Sequence, residues 1–139
     1  MLNTLQISSF FLLFPFFVAL WQTATNGSNR FLHATTGALF VSSVINHSRP
    51  HDGPVYDDID NVDKVVVAVN VLAACVDALR DDVSKQTVLS CSVLASVVGI
   101  AYSAAFCGKN DFRLRPHVEL LHAVCVHGFA AVILTALSV

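Results

Sequence analysis

Ser43 and His47 stand four residues apart, so on a helix they share one side, a turn from each other. Asp58, Asp60 and Asp63 follow in a short acidic stretch, and His117, Glu119 and His122 stand near the C-terminus with His127 beyond them. Neutral imidazole is the commonest metal ligand. Zinc catalysis takes about three protein ligands and leaves one position open for water. His47, His122 and His117 offer such a donor set, and an aspartate beside it is suited to accept a proton from that water. His117 and His122 are an awkward pair on one ideal α-helix, because residues five apart point about 140° away from each other. The same residue types also serve purely structural ends. Aspartates before a helix cap its positive N-terminus, and His127 or Ser43 can bond a neighbouring helix or a carbonyl.

The elements that must position these groups are membrane helices. Of 139 residues, 55% are hydrophobic and only 13% charged, and the mean hydropathy is +0.65. Soluble domains carry roughly 25% charged residues, so too few polar groups are present to cover a water-exposed surface. This composition excludes an ordinary soluble enzyme, a disordered chain and a secreted disulfide scaffold. A net charge of −2 with 8 Lys and Arg also excludes a nucleic-acid binder, which needs a basic patch. Cys75, Cys91, Cys107 and Cys125 are lone residues in or beside apolar runs, without a C-x-x-C pair, and read as small apolar residues.

A bilayer core takes about 20 apolar residues per helix. Five stretches fit: 5–22, 31–47, 62–79, 87–106 and 117–139. The expected fold is therefore all-α, an integral membrane bundle of about five transmembrane helices in one domain. The first stretch reads as a retained span and not a cleaved signal. No Lys or Arg precedes it, its apolar run is long, and Trp21 sits like an interfacial anchor. Asn70 and Asp77 interrupt the third and should face the bundle interior or the interface. Cys91, Ala95, Gly99 and Ser103, spaced by four, form a stripe of small residues that lets a helix approach closely. It reads first as a packing seam within the bundle, and otherwise as a route to a helix–helix oligomer.

Alternating spans place the end of the second, the start of the third and the start of the fifth at one membrane face. Five of the six histidines collect there. Arg49, Lys64, Lys109, Arg113 and Arg115 share that face, against Arg30, Arg80 and Lys85 on the other. The positive-inside rule then puts the N-terminus in the cytoplasm.

The order Ser43-Val44-Ile45-Asn46-His47, then an aspartate before the third span, then histidine near the start of the last span, resembles the CREST superfamily of membrane proteins. That group includes alkaline ceramidases, the progestin and adiponectin receptors and the TMEM8-like proteins. The resemblance implies a helical membrane bundle holding zinc near one face and hydrolysis of amide bonds in lipids. It further implies His47 as a zinc ligand, Ser43 as a donor to the developing oxyanion, and Asp58, Asp60 or Asp63 as the water-facing carboxylate. His117 and His122 would complete the ligand set. The chain departs from the family in having five spans where seven are expected, a loss of two that keeps the parity of the last helix. It also lacks the family's closing His-x-x-x-His at His117 and His122, which are one residue too far apart. The expected partners are membrane lipids. The rival reading is a non-enzymatic multi-span protein, a scaffold or small transporter component, whose polar face is a hydrated interface.

Overall fold

A computed structural model of the chain describes residues 4–26, 30–48, 54–108 and 115–139. Arg49, His51, Lys109 and Arg113 lie outside the described residues. Five helical stretches make up the structure, and among the described residues no strand is present. The first comprises α1 (Thr4–Ser9), a 3-10 turn (Phe10–Leu12) and α2 (Leu13–Asn26). Next come α3 (Arg30–His47), α4 (Pro54–Ala78) and α5 (Lys85–Gly108). The last comprises α6 (Arg115–Leu121), a π-helical segment (His122–Gly128) and α7 (Phe129–Ser138).

Local chemistry accounts for the starts and irregularities. Proline at the first position begins α4, where its missing N–H is no loss. Ser84 caps α5 by accepting the Thr87 N–H at 3.0 Å. Pro15 offers no N–H to the carbonyl of Phe11 and its ring crowds it, so the chain tightens into a 3-10 turn over Phe10–Leu12. In the α4–α5 turn, Arg80 donates to Asp82 and holds that carboxyl below the ordinary carboxylate range.

Helix α3 lies at the centre of the packing, against α2 on one side and α4 on the other, while α7 packs on α2 and α5. The buried apolar core is small: Leu12, Leu32, Leu39, Ala73, Cys91, Leu134 and Leu137. Polar contacts supplement it. Asn70 of α4 is buried and donates to the hydroxyls of Thr35 (3.1 Å) and Thr36 (3.3 Å) on α3, the inward orientation expected of a polar residue in such a helix. Gly37 lets α3 approach α2 closely, because a Cβ there would stand 2.9 Å from the Phe16 ring.

Among the described residues, three helices are long and apolar enough to cross a membrane: Thr4–Thr25, Lys85–Ala104 and His117–Ser138. Large apolar side chains such as Phe14, Trp21, Leu89 and Ile100 point outward, as lipid-facing residues do. The other two expected spans, in α3 and α4, are not among the three. Helix α3 carries Thr35, Thr36, Ser43, Asn46 and His47 as buried polar groups, and α4 carries Asp58, Asp60, Asp63 and Lys64. The small-residue stripe on α5 is not an internal seam along its length. Cys91 is buried, but Ala95, Gly99 and Ser103 are exposed, and a Cβ on Gly99 would meet nothing within 4 Å.

Candidate metal centre

Three histidines from two helical stretches converge. His47, at the end of α3, meets His122 and His127 of the π-helical segment, with one donor atom from each lying within 4.8 Å of the others. Ring centroids are 5.4 Å apart for His47–His122, 5.2 Å for His47–His127 and 4.9 Å for His122–His127. His47 and His127 are buried and His122 half-buried. In a tetrahedral zinc site with bonds of 2.0–2.1 Å, ligand nitrogens stand about 3.3 Å apart. A contraction of roughly 1.5 Å at the widest pair, within reach of side-chain rotation, brings the three onto one ion. Three imidazoles and no thiolate suit zinc, and equally other borderline divalent ions.

The π geometry brings His122 and His127 together. On an α-helix they would diverge by about 140°. A π-helix bonds i to i+5, so residues five apart lie about one turn from each other and share a face. The segment runs from His122 to Gly128 and so spans both histidines.

His117 does not join this group. It is exposed at the start of the last helical stretch, and its expected place is taken by His127. Ser43 is in the site: buried, with its Oγ 3.3 Å from Nε2 of His127. The aspartates separate. Asp63 accepts from Ser42 Oγ (2.6 Å) and from Asn46 Nδ2 (3.0 Å), the residues just before Ser43 and His47. It thereby ties α4 to the site-bearing end of α3. Asp60 pairs with Lys64 one turn on, at 2.6 Å, and Asp58 is exposed.

Two site residues come from the first helix. Ser8 Oγ lies 2.7 Å from Nδ1 of His127, and Ser9 Oγ lies 3.0 Å from Ser43 Oγ. Both hydroxyls also donate to the carbonyl of Leu5 at 2.9 Å. A polar Ser-Ser pair inside an otherwise apolar stretch is the only sequence signal that marks them. A shallow groove between α5 and α7, lined by Ser84, Thr87, Cys91, Leu94, Val132 and Ala136, contains none of the site residues.

Comparison of the chain with protein-family models, with curated proteins and with solved structures finds no match.

Proposed function

We propose that this chain is a zinc-dependent membrane hydrolase resembling the CREST group, acting on an amide or ester bond of a lipid. The observation that carries the reading is the convergence of His47, His122 and His127, with Ser43 beside them. The π-helix bears on the family's closing motif as well. Two histidines four apart on an α-helix and two histidines five apart across a π-helix present the same paired face, so His122 and His127 stand in for His-x-x-x-His. Zinc in a three-histidine site with an open position supplies a water nucleophile at neutral pH and polarises a carbonyl.

In this reading His47, His122 and His127 are the ligands. Ser43 turns its hydroxyl toward the developing oxyanion, which requires release of its bond to Ser9. Asp63 positions His47 and Ser43 through its bonds to Asn46 and Ser42. The five-span topology with a cytoplasmic N-terminus belongs to the same proposal.

The test is metal content and lipase or amidase activity of the full chain purified in detergent. Fatty acid released from an N-acylated or esterified lipid, abolished both by chelation and by Ser43→Ala or His47→Ala, supports the reading. Stoichiometric metal without turnover of either lipid class favours the second reading, a non-enzymatic bundle with a structural metal. The burial of His47 (7% exposed) and His127 (5% exposed) is the observation in favour of that reading.

A further inference from the structure

The polar contacts around His127 favour one position for its proton. A carbonyl oxygen only accepts, and Ser8 Oγ and Ser9 Oγ each lie 2.9 Å from that of Leu5, an acceptor to which each can give its single hydroxyl proton. With its proton on Leu5, Ser8 Oγ accepts from the ring nitrogen 2.7 Å away, an arrangement in which Nδ1 of His127 is the protonated nitrogen. Ser9 Oγ likewise accepts from Ser43 at 3.0 Å. Ser43 then has no proton left for Nε2 of His127, and the longer 3.3 Å contact between them is the one left unfilled in a neutral ring. The lone pair of Nε2 is the one available to a cation.

We infer that Ser8 is a positioning residue, which holds His127 as its Nδ1–H tautomer so that Nε2 is the donor atom presented to the metal. The role rests on the metal-centre reading above. It follows the general pattern in which a ligating imidazole donates its other N–H to an outer partner that sets tautomer and ring orientation. Here that partner comes from a different helix, so α1 is a working part of the centre. Ser9 supports it by drawing the Ser43 proton away from Nε2.

The experiment uses the full chain in detergent with 15N-labelled histidine, stripped of metal, at a pH where the rings are neutral. The His127 resonance is assigned by its loss in His127→Gln. Wild type should show the Nδ1–H tautomer, and Ser8→Ala should shift His127 toward Nε2–H. Ser8→Thr, which keeps a hydroxyl, should restore the wild-type pattern. Titration with cobalt(II) alone, followed by its visible absorption, should show affinity falling about 10- to 100-fold in Ser8→Ala and recovering in Ser8→Thr. Alanine favours helix, and unchanged circular dichroism separates these effects from misfolding. Wild-type His127 found as Nε2–H, or equal cobalt affinity in Ser8→Ala and wild type, overturns the assignment of Ser8. Absence of cobalt binding in wild type overturns the metal-centre reading itself, while the tautomer measurement still decides for or against Ser8.

Discussion

Deleting Val124 should leave the centre intact, which is the reverse of what a deletion in an ordinary helix does. Val124 is 48% exposed and lies between His122 and His127 in the π-helical segment. In a regular α-helix one deletion rotates everything beyond it by about 100°. Leu134 and Leu137, each 3% exposed, would swing out of the core, at about 2–5 kcal/mol for each large side chain removed from it. Here the residue removed is the extra one that the π-helix accommodates. Its loss converts the segment to α geometry, brings the two histidines to a four-residue spacing on one face, and keeps α7 in register. The expected result is cobalt(II) affinity within about 10-fold of wild type, a margin set by the ordinary effect of altering groups around a ligand, with unchanged helicity and no loss of thermal stability. An alanine inserted after Val124 is the control and should abolish binding, because it separates the ligands and turns α7. Loss of binding or a collapsed melting transition in the deletion, with the insertion no worse, would refute the claim that π geometry pairs these ligands.

Other consequences are accessible to stability and association measurements. Gly37→Ala should lower stability by about 1 kcal/mol in thermal or denaturant melts, since overpacking against Phe16 outweighs the gain in helix propensity; adding Phe16→Leu should make the same change stabilising. Asn70→Ala removes two bonds between α4 and α3 and should cost about 1 kcal/mol, in the range measured for polar pairs between membrane helices. Gly99→Leu should leave the monomer's melting unchanged or slightly raised, because nothing surrounds that position and leucine favours helix over glycine. If the exposed stripe of Ala95, Gly99 and Ser103 associates copies of the chain, the same variant should also weaken cross-linking in bilayers.

Much of this arrangement is legible in the residues alone, and the part that is not has a physical cause. Four of the helical stretches fall near where apolar run length puts them, whereas α4 begins at Pro54, eight residues before the expected start at 62, because helix continues through the acidic stretch that run length leaves out. His47 and Ser43 are visible because a four-residue spacing aligns them under ordinary helical geometry. His122 and His127 are not visible as a pair, because their five-residue spacing aligns only on a π-helix. That irregularity depends on packing against α1 and α5 that no local pattern announces. The same assumption of α geometry makes His117 as plausible a partner as His127. Asp58, Asp60 and Asp63 are alike in sequence, and only tertiary contact with Ser42 and Asn46 sets Asp63 apart. Ser8 and Ser9 act on groups more than thirty residues away, a distance beyond any spacing rule.

The most direct measurement is the metal content of the full chain, purified in detergent without chelator and analysed by mass spectrometry of the elements. About one zinc per chain is expected in wild type and in His117→Ala, with loss of that zinc in His47→Ala, His122→Ala and His127→Ala and helicity retained. A folded wild-type chain that carries no transition metal, or one whose metal survives all three of those substitutions, would contradict the metal-centre reading.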